Sequence, residues 1–507
     1  MVGQSWASRW LGALAGLASA AVSLGVAEVV AAFTGTQSAP VIAVGDAVID
    51  AVPLGVKEWA TSTFGTNDKT ALITGIFILL AIAAGVIGAW AVRDIWIGYC
   101  GIAVFGILGA IAAATRPGLG ADAVIPSIVG AAAGAATLTA LLHGRHARRP
   151  DLEADSARRT VLIGALVALA VAGIAELVGR QLGERKNVST ARNAITLPTP
   201  SVPPPSLPPD AAVPDQSSFV TGNSGFYRVD TALEPPQVDP KTWSLRIHGQ
   251  VNQEITLTYD QLLARPMIAR YITLCCVSNP VGGPLIGNAL WLGTPLKDLL
   301  DEAGIHAGAD QIVGRSTDGF TAGSPTSVVM DGRDAMLAVG MNGTPLPVDH
   351  GFPVRMIVPG LYGYVSATKW ITDIEVTTFA AYDAYWVPRG WSAMGPIKTS
   401  SRIDTPQDGS TRKAGTVVVA GVAWAQHRGI SKVEVQVDGG PWQTATLDAV
   451  PSTDTWRQWR WDWAATRGNH RLSVRATDNA GQTQTSQVAD VAPNGATGYH
   501  MIGVTIS

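Results

Sequence analysis

The chain has 507 residues, 15% of them charged and 47% hydrophobic, with a formal net charge of −3 and three cysteines. So few cysteines exclude a disulfide-rich secreted scaffold, a thiolate zinc cluster and a four-cysteine iron–sulfur site. The near-neutral balance lacks the basic excess of a nucleic-acid binder, and a positive mean hydropathy at this length points to several domains, one of them in a membrane.

The apolar part comes first. Residues 11–33, 71–92, 95–114, 123–142 and 161–179 are runs of Ala, Gly, Leu, Ile and Val. Each approaches the roughly 20 residues that cross about 30 Å of hydrocarbon. Small residues of this kind let helices approach closely in lipid. The length of the first run, with four more behind it, argues against a cleaved signal peptide. Arg9, Arg93 and the cluster Arg145, Arg148, Arg149, Arg158 and Arg159 fall on one side if every span crosses. The positive-inside rule makes that side cytoplasmic. A multi-pass cell-membrane anchor with everything beyond Gly179 extracytoplasmic is expected.

Arg158-Arg159 also leads straight into an apolar run, as in a twin-arginine export signal placed internally. Plain positive-inside flanking is the competing reading. Glu28 and Glu176 lie near span ends, either at the interface or in a functional role. His143 and His146 lie at and beyond the end of span four, which does not suit axial haem ligation. The spans show no paired charges and no inverted repeat, which argues against a transporter.

Residues 181–215 form a Pro-rich linker. Its core, Leu197-Pro-Thr-Pro-Ser-Val-Pro-Pro-Pro-Ser-Leu-Pro-Pro209, predicts an extended, semi-rigid spacer holding the next domain off the membrane. Residues 216–400 mix short strands and helices, an α+β domain. Strands are predicted over 243–249, 254–258 and 270–274, and helices over 259–263 and 295–303, the last with Leu296, Leu299 and Leu300 on one face. Residues 401–507 alternate apolar and polar positions over 416–423, 430–437, 456–463 and 470–477, an all-β immunoglobulin-like sandwich. Trp456, Trp459, Trp461 and Trp463 offer a ligand-stacking array, but shared strand parity favours core for the last three. The expected architecture is multi-domain: an all-α transmembrane bundle of five helices over residues 1–180, the linker, the α+β domain and the all-β domain.

Cys100 lies in span three, where it would pack. Cys275-Cys276 closes an apolar strand ahead of the Gly/Pro-rich loop Val277-Ser-Asn-Pro-Val-Gly-Gly283. On spacing alone the pair can be a ligand or nucleophile, two buried thiols, a vicinal disulfide or a duplication.

Six segments occur in order: Phe226-Tyr-Arg-Val-Asp230, Leu274-Cys-Cys-Val-Ser-Asn279, Met341-Asn-Gly-Thr-Pro-Leu-Pro347, His350-Gly-Phe-Pro-Val-Arg355, Pro359-Gly-Leu-Tyr-Gly363 and Ala367-Thr-Lys-Trp370. Together they resemble the sulfite oxidase family of molybdopterin enzymes over residues 216–400, and the all-β tail resembles that family's dimerisation domain, which allows a homodimer. The whole chain looks like a membrane-anchored, actinobacterial-type member. The resemblance implies a sulfite-oxidase-like α+β fold with one molybdenum on a molybdopterin, ligated by Cys276 with Cys275 as its neighbour. It implies that His350, Arg355 and Lys369 hold the pterin and its phosphate. Asp230 stands where the family has a pterin-binding histidine, and the turn at Gly363 and Ser366 offers backbone N–H groups. Arg228 matches a substrate-side arginine, catalytic with Cys276; the competing readings are a pterin contact and a surface ion pair. Arg suits phosphate through its planar fork and Lys through its point charge.

One departure is Ala338-Val-Gly-Met-Asn-Gly343, where sulfite oxidases carry a tyrosine at the position of Val339. Sulfite as substrate is thereby in doubt; Tyr362, Tyr364 and Tyr385 are candidate replacements, and Tyr385-Trp-Val-Pro-Arg-Gly-Trp391 with Ile397-Lys398 a candidate pocket wall. The implied activity is oxygen-atom transfer on a small S-oxo or N-oxo substrate. Electrons pass to or from a separate carrier, a quinone or cytochrome, with membrane lipid as the other partner and no nucleic acid. The competing reading is a degenerate, non-catalytic envelope interaction module on the same fold.

Overall fold

A computed structural model describes residues 6–64, 68–117, 119–143, 154–185, 188–207 and 213–507. Arg145, Arg148, Arg149 and His146 lie outside the described residues. The chain divides into two compact units. One comprises Met1–Asn187 with Asp230–Gln237, the other Val188–Val229 with Val238–Ser507.

In the first unit five helices are long and apolar enough to cross a membrane: Arg9–Thr34, Asp68–Ala91, Ile95–Ala114, Ala121–Leu142 and Leu162–Gly179. The first is central. Its Ala15, Ala18 and Val22 share a buried cluster with Ala91, Leu138, Leu141, Leu142, Ala165, Ala168 and Ala172 from the other helices. Glycine permits this closeness. A Cβ on Gly88 would stand 2.3 Å from the Gly12 carbonyl oxygen and 2.7 Å from Gly16 Cα. Backbones thus meet directly, which drives association where water expulsion cannot. Two helices, Pro40–Ala51 and Leu54–Phe64, stand between spans one and two, where no element is expected from the sequence. Glu28 packs on the backbone of Gly179, while Glu176 and Cys100 are exposed on the bundle surface, so Cys100 is not a packing residue.

At the start of the second unit, the segment expected to be an extended, semi-rigid spacer packs on the domain that follows it. Val188 enters the hydrophobic core, Arg192 Nε donates to the Leu346 carbonyl at 2.6 Å, and Val202 bridges Ile268 in parallel. The prolines impose the extended shape, and the N–H groups of Ser201 and Val202 supply the edge hydrogen bonds that proline cannot.

Two sheets come next. One runs Ile255–Thr258, Ser244–Gly249, Ile371–Thr377, Gln311–Ser316, Thr321–Pro325 in spatial order. The other runs Ile268–Cys275, Ile286–Pro295, Met336–Met341, Thr344–Pro345, with Arg355–Ile357 paired to Met336–Met341. The expected strands at 243–249, 254–258 and 270–274 are all present. The helix Leu296–Ala303 buries Leu296, Leu299 and Leu300 completely.

The tail is the expected sandwich. One sheet orders Ser400–Thr405, Gly415–Trp424, Arg457–Ala465 and Thr446–Leu447. The other orders Thr411–Arg412, His500–Ile506, Gly468–Asp478, Ile430–Val437 and Gln443–Thr444. Trp459 and Trp463 are core residues and Trp461 packs beside them, so the tryptophans form no stacking array.

Candidate functional site

Cys275 ends the strand Ile268–Cys275 and Cys276 begins the loop behind it. Both are buried, free thiols rather than a disulfide. They are not equivalent. Cys275 Sγ donates to the Cys276 carbonyl at 3.5 Å and accepts from Asn279 Nδ2 at 3.9 Å. Burial pushes both thiols up. Hydrogen bonds from Ser278 and the charge of Lys369 oppose this at Cys276, as an Asn279 hydrogen bond and the charge of Arg402 do at Cys275, which also feels Cys276 and is pushed the further up.

The strand end is gripped from the all-β domain. Thr273 N donates to the Asp454 carbonyl at 2.9 Å, Thr273 Oγ1 accepts from Trp456 N at 2.8 Å, and Gln426 Nε2 donates to the Thr273 carbonyl at 3.1 Å. Arg402 Nη1 donates to the Gly283 carbonyl at 2.7 Å. Gly282 has φ of +76° and its missing Cβ leaves room for the His500 ring, so the thiol loop rests on the sandwich. None of these contacts is visible as a sequence pattern, because each joins residues more than a hundred positions apart.

The second wall comes from the turn Val348–His350 and the strand Arg355–Ile357. His350 Nε2 pairs with the Asn223 carbonyl at 3.1 Å, and its ring meets Phe226 edge-on at 5.6 Å. Asn342, in the hairpin turn after Met336–Met341, holds that arm in place. Its Nδ2 donates to the Thr221 carbonyl and to Asn223 Oδ1, and its Oδ1 accepts from Leu290 N. Burial, with Arg355 nearby, brings His350 down to about 4, so the ring is neutral at physiological pH. Gly351 sits between Arg355 and Lys369 at φ of +107°, where a Cβ would press on both.

Arg355 is the most informative residue. It is only 5% exposed, donates from Nη1 to the His350 carbonyl at 3.1 Å, and lies 5.1 Å from the centre of the Trp291 ring. Its Nε has no partner, and among the described residues it forms no ion pair. Burial brings it down to about 10. A buried guanidinium with an orphaned N–H calls for an anion. Arg228 and Lys369 flank Asp349: Arg228 Nη1 is 3.5 Å from its carboxylate, and Lys369 Nζ is 3.4 Å from its carbonyl. Cys276, His350, Arg355, Lys369 and Arg228 thus converge.

Three further expected residues are Ser366, Gly363 and Asp230. Ser366 is fully buried and its hydroxyl donates to the carbonyls of Leu361 and Tyr362, so it locks its own turn. Gly363 does border the site: a Cβ there would lie 3.8 Å from the Cys275 carbonyl and 3.9 Å from the Tyr227 hydroxyl. Asp230 falls in the helical unit, its carboxylate 2.6 Å from Lys69 Nζ and its side chain 2% exposed. Val339 is packed in the core. The phenols facing the thiols electrostatically are Tyr227 and Tyr362, both pushed up by burial first and by the cysteines next. Sequence reasoning misses Tyr227, because a single aromatic between Phe226 and Arg228 carries no signal. Trp386, Trp391, Tyr385 and Tyr364 form a ring cluster with centroid separations of 5.2 to 6.1 Å, that is, packing.

Residues 232–386 match the oxidoreductase molybdopterin binding domain, and residues 400–474 a bacterial Ig domain. The body of the chain is thus similar to molybdopterin oxidoreductases of the sulfite oxidase and nitrate reductase type. Mitochondrial sulfite oxidase of Homo sapiens is 29% identical over 323 residues, covering 54% of this chain and 59% of that protein. Inducible nitrate reductase (NADH) 2 of Glycine max is 28% identical over 314 residues, covering 49% of this chain and 35% of that one. The sulfane dehydrogenase SoxCD from Paracoccus pantotrophus shares the fold, with a TM-score of 0.50 at 22% identity over 58% of this chain and 86% of its own. The chain thus spans less than two thirds of the first curated relatives it matches.

The residues present fit a molybdopterin. Among the described residues no three His, Cys, Asp or Glu side chains gather into a metal cage, so a metal here needs ligands beyond the protein, as a pterin dithiolene provides. Cys276 would supply the protein thiolate, and the orphaned Arg355 Nε, with Lys369, would suit the pterin phosphate.

Proposed function

We propose that this protein is a membrane-anchored, extracytoplasmic molybdopterin oxidoreductase that moves an oxygen atom to or from a small S-oxo or N-oxo substrate. The observation that carries it is a buried Arg355 with an unpartnered Nε, beside a free buried thiol and the cations Arg228 and Lys369. When bound, the cofactor supplies two-electron oxygen-atom transfer at one molybdenum. Cys276 would ligate the metal. Arg355 and neutral His350 would hold the pterin, His350 as a hydrogen-bonding rather than a charged group. Arg228, exposed at the rim, would draw in a dipolar S=O or N=O group. With Val339 in the tyrosine position, reduction of an S-oxide or N-oxide is favoured over sulfite oxidation, and Tyr227 or Tyr362 is the nearest proton-bearing phenol.

The membrane reading rests on five apolar helices. Lys69 and Arg116, on the side opposite Arg9 and Arg93, are each paired with a carboxylate, Asp230 and Asp50 respectively. Arg9, Arg93 and the arginines of residues 145–159 supply the positive-inside bias that marks the proposed cytoplasmic side. Arg158-Arg159 lie in the helix Ala154–Arg185 just ahead of the fifth span, and we assign them to twin-arginine export of a body already loaded with cofactor. Electrons would pass to a separate carrier, and the sandwich would serve a homodimer. The test is metal analysis of the purified full chain with a substrate screen using artificial electron donors and acceptors. Near-stoichiometric molybdenum with S-oxide or N-oxide turnover is expected; ordinary sulfite turnover, or no molybdenum, refutes the reading.

A further inference from the structure

The helical unit holds a cavity of about 210 Å³, walled by spans one to four and the helix Pro40–Ala51. Its walls carry no ionisable side chain. Gly16, Gly88 and Gly130 line it with bare backbone, and Phe105 and Leu108, 40% and 52% exposed, stand at its rim on the outer surface of the bundle. An apolar cavity of about 150 Å³ stays dry and takes up benzene. This one holds a somewhat larger ring and opens toward the lipid.

One polar group points to more than a hydrocarbon occupant. Helical hydroxyls usually return their proton to the carbonyl four residues back, as Ser19, Thr137 and Thr139 do here at 2.7 to 2.8 Å. Ser127 lines the cavity, is 3% exposed, and its hydroxyl has no partner. An unpaired hydroxyl in an apolar wall loses about 1–3 kcal/mol unless a ligand accepts from it. An acyl chain offers no acceptor.

We propose that this cavity binds the head-group ring of a lipid-soluble quinone, with Ser127 Oγ donating to one ring carbonyl. The occupant is neutral because the walls are uncharged, small because the cavity is about 210 Å³, and carbonyl-bearing because of Ser127. Binding itself does not depend on the molybdenum reading; only the quinone's use as electron carrier rests on it.

The test uses the full chain in phosphatidylcholine nanodiscs, photolabelled with an azido-benzoquinone bearing a decyl tail and mapped by peptide mass. Label on residues 101–130, competed by unlabelled decyl-benzoquinone but not by decylbenzene, is expected. Ser127→Ala should weaken that competition about five- to tenfold, the loss of one hydrogen bond. Ala20→Phe, which fills the cavity, should abolish labelling. Equal competition by decylbenzene would mean ordinary lipid occupancy and overturns the proposal, as does an unchanged Ser127→Ala variant. Molybdenum content and turnover with an artificial acceptor, read on the same samples, should not move; their loss in the unmutated protein would count against the enzymatic reading alone.

Discussion

Replacing Arg355 by methionine should have opposite effects on the cofactor-free and the loaded protein. In the cofactor-free fold, bringing this guanidinium down to about 10 corresponds to about 3 kcal/mol against its charged form, at about 1.4 kcal/mol per tenfold in proton affinity. Its contact with Trp291 gives back about 1 kcal/mol and its hydrogen bond to the His350 carbonyl about as much again. Methionine fills the stem volume without the charge. The variant should therefore be about 1 kcal/mol more stable without cofactor, a rise of roughly 2–4 °C in Tm for a body of this size. That difference should be flat between pH 6 and 9. Arg355 stays charged there, and its penalty fades only as pH rises through about 10. Expressed with cofactor supply, the same variant should retain little molybdenum, because the phosphate loses its buried cation. Thermal scans of the full chain from a cofactor-deficient host, paired with metal analysis from a competent one, read both effects. A variant destabilised without cofactor yet fully loaded with molybdenum would refute the assignment of Arg355 as an anion site.

Cys276→Ser should abolish molybdenum retention with the fold intact by circular dichroism, whereas Cys275→Ser should keep most of the metal. His350 is neutral in the fold down to about 4 while the unfolded chain protonates near 6.5, so stability should fall by up to about 3 kcal/mol as pH drops between these values and then level off; His350→Asn should remove that slope in pH-dependent denaturant titrations. Thr273→Val loses its hydroxyl contacts to Trp456 N and Asn288 Oδ1 and should cost about 1–3 kcal/mol, with cofactor lost earlier in a thermal ramp than in the wild type. Asp230→Asn should leave molybdenum content unchanged while lowering detergent stability, since its carboxylate is held by Lys69; a drop in bound molybdenum without loss of stability would restore it to the pterin.

The spans are legible in the sequence because hydrocarbon thickness sets one length, and the sandwich because strand parity is a local property. The short helices Pro40–Ala51 and Leu54–Phe64 are not, since neither reaches spanning length and neither carries a marked polar face. The Pro-rich segment reads as an extended, semi-rigid spacer because proline dictates backbone shape, but it says nothing about whether Val188 and Arg192 find a surface. In the site, the approach of Cys276 to His350 and Arg355 joins residues about 75 apart, which no periodicity encodes; the family likeness alone points to it. The same likeness says nothing of the local partners taken by the Ser366 hydroxyl and the Asp230 carboxylate. A hydroxyl one turn from a carbonyl satisfies itself first, and a carboxylate goes to the nearest cation, here Lys69.

These observations combine into one physical picture of the cofactor-free fold. Arg355 has a buried charge without a counter-ion, Cys276 has a thiol that burial holds protonated, and His350 is denied its proton. Each is unfavourable alone, and on the proposed reading one anionic, metal-bearing ligand would relieve all three together: its phosphate would answer Arg355, and its metal the thiol. Neutral His350 can then accept a hydrogen bond without adding a third charge. A fold that retains such uncompensated groups, braced by Thr273, Asn342 and Gly351, gains stability only when filled, so binding and folding are linked. The Tm of the loaded chain should therefore exceed that of the cofactor-free one, and Arg355→Met should shrink the gap from both ends at once. A loss of packing at this position would lower the two values in parallel and leave the gap unchanged.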